Sequence, residues 1–171
     1  MKYYSSNIKS SLSLSVHFIA NENSITEIQL KSNSSSPENL FWDLASTYPI
    51  NQNMLNLIKN WIETYANGKQ PKTALPLSLQ SISSPFHFQV LTELQNIPFG
   101  TALTYQQMAI KLSNPKAARA VGNACARNPL PLVIPCHRIL SQNGLGGFSG
   151  GLDIKRKLLA FEKCKFIDSH E

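Results

Sequence analysis

Apolar and polar side chains alternate from Ser11 through Val16 and lead into His17-Phe18-Ile19, the period of a strand with one covered face. Ile25-Thr26-Glu27-Ile28-Gln29-Leu30 is a second short run, and Asn21-Glu22-Asn23-Ser24 between them has turn chemistry. The pair predicts an antiparallel hairpin. His17 reads as a partly covered strand residue rather than a ligand, since no Cys or second His lies near it in sequence. A polar loop runs from Ser32 to Pro37. Met54, Leu55, Ile58, Trp61, Ile62 and Tyr65 then recur at helical spacing and predict a helix over 51–66, closed by Asn67-Gly68. Residues 69–83, with Pro71, Pro76 and three serines, read as a connection between two lobes.

The second half has a shorter rhythm. Ser84-Pro85 is an N-cap followed by proline at the first helical position, with Phe88, Leu91 and Leu94 on one face and His87 facing solvent. Thr104-Tyr105-Gln106-Gln107 fits a capping box, with Leu103 and Met108 as a hydrophobic staple, and its helix runs to about Leu112. After the turn at Ser113-Asn114, Asn114 caps a helix predicted from Pro115 to about Arg127. Two short helices and a tight turn make a helix-turn-helix pattern. In the second helix Ala117, Ala120, Val121 and Ala124 form a thin apolar stripe. Lys116, Arg119, Asn123 and Arg127 lie on the other side. Ile139-Leu140 reads as a short strand. Gly144, Gly146, Gly147, Gly150 and Gly151 surround Phe148 and Ser149 in a loop that can present backbone N–H groups to a ligand. A last helix spans about Asp153 to Lys163, with Lys163 and Lys165 at its end.

These elements predict an α/β (α+β) chain. It has a small N-terminal α/β lobe of hairpin sheet plus helix (1–80), a mainly helical domain with a helix-turn-helix (84–165) and a tail (166–171).

Charge sharpens the division. Residues 1–83 carry a net +1, residues 84–165 a net +7 and the last six residues −2, which accounts for the total of +6. A basic second half points to a polyanionic partner. No run approaches the ~18 apolar residues of a membrane span, and Met1-Lys2-Tyr3-Tyr4-Ser5-Ser6 has no signal-peptide core. The expectation is a cytoplasmic, monomeric protein with no membrane partner. Three cysteines, at 125, 136 and 164, contain no CxxC pair, so neither a disulfide framework nor a Cys-rich zinc site is predicted.

The candidate chemistry lies in Val133-Ile134-Pro135-Cys136-His137-Arg138. Thiolate is the reactive form of cysteine, and an adjacent imidazole and cation are groups that raise its fraction near neutral pH. Cys136 is therefore the predicted nucleophile. Cys125 and Cys164 sit in helical patterns and read as inert. Neighbouring side chains in extended chain point to opposite faces, so His137 reaches Cys136 through a water unless the backbone turns. A nucleophile–base pair also needs a third group to orient the base. Glu93, Asp153 and Glu162 are the acidic residues of the basic half, and the residues alone leave that choice open.

Pro135-Cys136-His137-Arg138, the run Asn114-Pro115-Lys116-Ala117-Ala118-Arg119-Ala120-Val121-Gly122-Asn123-Ala124, and Gly147-Phe148-Ser149-Gly150-Gly151 closely resemble the O6-alkylguanine-DNA alkyltransferases. The resemblance runs from about Ser84 to Lys165. It implies an RNase H-like N-terminal lobe, a winged helix-turn-helix C-terminal domain, and direct reversal of DNA damage. An alkyl group passes once, irreversibly, from O6 of guanine (or O4 of thymine) to Cys136. By the same resemblance His137 acts as base through a water and Glu162 orients it. Tyr105 donates to the departing guanine, and Asn128 supports the turn before the active-site loop. Gly147, Phe148 and Ser149 form the base pocket. Arg119 fills the stack as the nucleotide flips out. Ala118 and Ala120 allow close groove contact, and Lys116, Asn123, Arg127, Thr104 and Gln106 are further DNA contacts. The implied partner is double-stranded DNA carrying O6-alkylguanine, with no cofactor and no obligate protein partner; some relatives bind zinc through Cys and His in the N-terminal lobe, but this lobe has no Cys, so no metal is expected. Phe148 stands where some relatives have Tyr. Two other readings remain at this stage: a non-enzymatic lesion sensor built on the same helix-turn-helix, and a Cys–His hydrolase.

Overall fold

The computed structural model describes residues 2–32 and 39–165. The polar loop at 33–37 and the tail at 166–171 lie outside the described residues. The chain divides into two compact units, Met1–Leu79 and Gln80–Glu171.

The first unit is a four-stranded sheet and one helix. Its strands are β1 (Lys2–Lys9), β2 (Leu14–Ala20), β3 (Ile25–Ser32) and β4 (Asn39–Ser46), in the order β1-β4-β2-β3. The hairpin is β2–β3, paired from Leu14↔Ser32 with a bulge at Ile19/Ala20. β4 inserts beside β2 in parallel and takes β1 antiparallel on its other edge. Leu14, Val16, Phe18 and Ala20 on β2 and Leu40, Trp42 and Leu44 on β4 are buried. The strand period puts each set on one face. Helix α1 (Gln52–Ala66) starts where the Asn51 side chain accepts from the amides of Asn53 and Met54. All six residues of its predicted stripe are buried. Gly68, at φ +69°, carries the chain away in a conformation that suits glycine.

The segment read as a connection is partly built into this unit. Ile25 N–H donates to Pro76 O at 2.7 Å and Ser78 N–H to Ile25 O at 2.9 Å, so Leu77 pairs alongside the start of β3.

The second unit holds α2 (Pro85–Leu94), β5 (Leu103–Thr104), α3 (Tyr105–Lys111), α4 (Ala118–Ala126), β6 (Ile139–Leu140) and α5 (Leu152–Phe161). Ser84 caps α2, and the Thr104/Gln107 capping box is formed in full. β5 and β6 pair in parallel, Leu103 with Ile139, which brings the start of α3 beside the segment that follows Cys136.

Five local expectations change. Helix α4 begins at Ala118 rather than Pro115, because Asn114 O is used by a turn to Ala117 N–H (2.9 Å) and no side chain caps the helix. Its buried stripe is Val121, Ala124 and Cys125, while Ala120 is exposed. Phe88 is exposed, and Val90 takes its place beside Leu91 and Leu94 in the covered face of α2. His87 is half-buried rather than solvent-facing: its Nε2 bonds to Ala124 O at 2.9 Å and ties α2 to α4. Helix α5 ends at Phe161, and Lys163 lies past it at φ +57°.

Candidate active site

The loop after α4 is shaped by one side chain. Asn128 is buried, its Nδ2 donates to Ile134 O (2.8 Å) and to Cys136 Sγ (3.1 Å), and its Oδ1 accepts from Leu130 N–H (3.0 Å). That set of partners fixes which end of the amide is nitrogen. Pro129, Pro131 and Pro135 stiffen the loop. Leu132 is held at φ +76° with its side chain buried, a conformation that costs an L-residue roughly 1–2 kcal/mol. Arg138 N–H closes onto Pro135 O at 3.0 Å, so Cys136–Arg138 form a single tight helical turn.

This turn separates the three side chains of Cys-His-Arg. Cys136 is 3% exposed and His137 is fully buried. His137 Nε2 lies 2.8 Å from Glu162 Oε1. Arg138 grips the same carboxylate, Nε to Oε2 at 2.7 Å and Nη2 to Oε1 at 2.9 Å, and donates Nη1 to Ile97 O at 2.7 Å. Its guanidinium also sits over the Phe99 ring. A carboxylate only accepts, so His137 Nε2 carries the proton toward Glu162 and a neutral ring keeps its lone pair on Nδ1. Nδ1 is buried with no hydrogen-bond partner among the described residues. Of the three acidic candidates, Glu162 therefore pairs with His137. Glu93 instead bridges to Lys111, and Asp153 lies within reach of Arg156.

The electrostatics correct one expectation. Burial pushes the Cys136 thiol up from its ordinary value; the Asn128 hydrogen bond, the Lys155 charge and nearby backbone amides oppose this without reversing it. Arg138 does not activate the sulfur, because its charge is committed to Glu162. Burial also lowers His137, against the pull of Glu162, so the ring is neutral at neutral pH. Burial raises the Glu162 carboxyl, but its bonds to His137 and Arg138 outweigh that and bring it down to about 2. The resting site is a thiol beside a neutral imidazole whose orienting carboxylate is ionised.

Lys155 is a site residue that the sequence reading missed. Its Nζ is buried, donates to Ile139 O (2.6 Å) and Gly147 O (3.1 Å), and burial lowers it to about 8. The available signal was a lysine inside the α5 stripe of Ile154, Leu158 and Leu159. Charged residues rarely occupy such positions without a partner.

A cavity of about 230 Å³ opens on the sulfur, lined by Tyr105, Gly122, Cys125, Ala126, Cys136, Gly147, Phe148 and Ser149. Five of these, Tyr105, Cys136, Gly147, Phe148 and Ser149, are predicted site residues brought together by the fold. Cys125 is the unexpected neighbour. The Tyr105 hydroxyl reaches Gly147 O only at 3.5 Å, long for a hydrogen bond, so its proton is available to a ligand. Lys116, Arg119, Ala120, Asn123 and Arg127 are exposed and Ala118 is half-buried; they lie outside the cavity lining. Thr104 and Gln106 are engaged locally. Thr104 caps α3, and Gln106 Nε2 donates to Pro115 O at 2.8 Å across the helix-turn-helix.

A helix-turn-helix with a basic exposed face, beside a cavity that ends on a buried thiol backed by His137 and Glu162, defines a nucleic-acid-binding domain with a thiol acceptor site. Residues 85–164 match the family model for the 6-O-methylguanine DNA methyltransferase DNA-binding domain. A probable methylated-DNA–protein-cysteine methyltransferase of Acanthamoeba polyphaga mimivirus is 38% identical over 125 residues, covering 72% of this chain and 79% of the relative. The Haemophilus influenzae methylated-DNA–protein-cysteine methyltransferase is 36% identical over 146 residues, 85% of this chain and 78% of its own. Among solved structures, Mycobacterium tuberculosis OGT in complex with DNA superposes with a TM-score of 0.67 at 26% identity, over 93% of this chain and 92% of that one. The chain belongs to the methylated-DNA–protein-cysteine methyltransferase family. Among the described residues no helix is long and apolar enough to cross a membrane.

Proposed function

We propose that the protein repairs DNA by taking the alkyl group from O6 of guanine, and from O4 of thymine, onto Cys136 in a single irreversible turnover. The observation that carries the reading is the buried Cys136 sulfur on the cavity, bonded by Asn128 and backed by the His137–Glu162–Arg138 cluster.

Each group then has a task. The alkyl carbon of a stacked base is hidden from in-line attack, so the nucleotide rotates out of the duplex. Arg119, long and exposed on α4, fills the vacated stack while Ala118 and Ala120 keep the helix thin enough for close approach. Lys116, Asn123 and Arg127 contact the backbone, which gives salt-sensitive binding with little sequence preference. Thr104 and Gln106 hold the α3 start and the turn against the DNA. The extruded base enters between Tyr105 and the Gly147-Phe148-Ser149 loop. His137 Nδ1 takes the thiol proton by way of a water. The sulfur attacks the alkyl carbon, the S–C bond forms as the C–O6 bond breaks, and the Tyr105 hydroxyl supplies a proton to the departing guanine. Tyr105 is restored by the proton that His137 received, so the thiol proton ends on guanine. A thioether is a poor leaving group, and the molecule acts once.

The test is intact-mass and peptide analysis after incubation with duplex DNA carrying O6-methylguanine. The expected result is one added methyl per protein, on the peptide containing Cys136, with one guanine restored in the duplex for each. DNA binding without an adduct would replace this reading by a non-enzymatic lesion sensor, and repeated turnover without an adduct would replace it by a hydrolase.

A further inference from the structure

We infer that Cys125, the second thiol on the cavity, sets the largest alkyl group the site accepts. The inference rests on the alkyl-transfer reading of the site.

A cavity of about 230 Å³ lies below the ~300–1,000 Å³ of ordinary small-molecule pockets. A flipped base leaves little of it for its substituent. Most of the wall is rigid. The Tyr105 ring is wedged between two glycines: a Cβ on Gly122 would lie 3.6 Å from it and one on Gly146 only 2.8 Å. Phe148 is wedged likewise, since a Cβ on Gly150 would lie 2.8 Å from its ring, and His137 meets it edge-on at 6.5 Å. Cys136 is held by Asn128. On the α4 side Gly122 has no side chain and Ala126 only a methyl. Cys125, buried on the covered face of α4, is the side chain whose bulk decides how far that wall stands from the acceptor sulfur.

Its chemistry suits a wall. Burial, then the neighbouring Cys136, push the Cys125 thiol up to about 12, so it stays protonated and behaves as a small apolar side chain. It does not compete with Cys136 for the alkyl group.

The experiment measures transfer rates from duplex DNA carrying O6-methylguanine and from the same duplex carrying O6-benzylguanine, for the unsubstituted protein, Cys125→Ala and Cys125→Leu. The benzyl-to-methyl rate ratio is expected to rise severalfold in Cys125→Ala and to fall at least tenfold in Cys125→Leu. Thermal unfolding of each variant identifies one that fails to fold, and Cys125→Ala, which only removes an atom from the wall, decides the matter if Cys125→Leu does. An unchanged ratio in a folded variant that still transfers methyl overturns the inference and leaves the alkyl-transfer reading standing. Absence of methyl transfer in the unsubstituted protein overturns both. An alkyl adduct on Cys125 in the unsubstituted protein also overturns the inference, since it would make Cys125 an acceptor.

Discussion

The two units of the chain use their interiors differently. In residues 1–79 the interior is apolar: Leu14, Val16, Phe18, Leu40, Trp42, Ile58, Ile62 and Tyr65 are all 1% exposed or less, and among the described residues the one buried acidic or basic side chain is Asp43. In residues 80–171 His137, Arg138, Lys155 and Glu162 are buried among Leu91, Leu94, Met108, Val121 and Leu158. A buried Leu or Val contributes roughly 1.5–3 kcal/mol by leaving water. A buried charge costs energy unless its partners are complete. The interior of the first unit is therefore stabilised mainly by apolar burial. The second buries a bonded charge cluster, in which Glu162 holds the His137 ring and Arg138.

The comparison predicts unequal consequences for similar substitutions. Glu162→Gln strikes the centre of the cluster and leaves the buried Arg138 without its counter-charge. It is expected to cost about 3–5 kcal/mol in urea unfolding and to slow methyl transfer by roughly two orders of magnitude. The pH dependence carries the same signature. The Glu162 carboxyl is depressed from its ordinary 4.5 to about 2 in the folded protein. Its contribution is thus complete above about 4.5 and is lost as pH falls from there toward 2. Glu162→Gln should flatten that part of the stability profile, and a mutant profile with the original slope would remove Glu162 from the account.

Asn128→Ala is intermediate. It leaves Leu130 N–H without its acceptor in the interior, at about 1–3 kcal/mol, while Ile134 O keeps its bond from Cys136 N–H. It also removes a hydrogen bond that favours the Cys136 thiolate, so the rise of transfer rate with pH should move to higher pH. A stability loss with an unmoved rate profile would make Asn128 a structural residue only.

The smallest effect belongs to the first unit. Tyr3 donates to Asp43 Oδ2 at 2.6 Å, and His17 Nδ1 shares the same oxygen at 2.7 Å. Tyr3 is 62% exposed and His17 remains as a partner. Tyr3→Phe should therefore cost no more than about 0.5–1 kcal/mol, read as a small drop in unfolding midpoint, with methyl transfer per folded molecule unchanged. A large loss of transfer would break the division of labour between the units.

How much was legible in advance follows the range of the interactions. The β2–β3 hairpin and α1 could be read because each buries one face and so imprints a period of 2 or 3.6 on adjacent residues. β1 could not. As an edge strand it is exposed or half-buried along its length, and Lys-Tyr-Tyr-Ser-Ser-Asn-Ile-Lys carries no alternation. β4 failed for the opposite reason: between β1 and β2 it is covered on both faces in its middle, with Trp42, Asp43 and Leu44 all buried. Pro115 misplaced the start of α4 because proline suits a turn as well as a first helical turn.

The sequence by itself determined the reactive stretch and its family. Cys136, His137 and Arg138 are consecutive, and the Asn-Pro-Lys-Ala-Ala-Arg and Gly-Phe-Ser-Gly-Gly runs are local patterns that survive without coordinates. Only the tertiary structure decided what those residues face. The Cys136–Arg138 turn sends three neighbouring side chains to three environments: the sulfur to a cavity, the imidazole to Glu162, and the guanidinium to the back of that same carboxylate. Lys155 and Cys125 joined the site because α5 and α4 converge on it from either side of the loop. Sequence motifs record chemistry carried by adjacent residues. The state of a thiol is set by burial and by charges brought near it through space, and those exist only once the chain has folded.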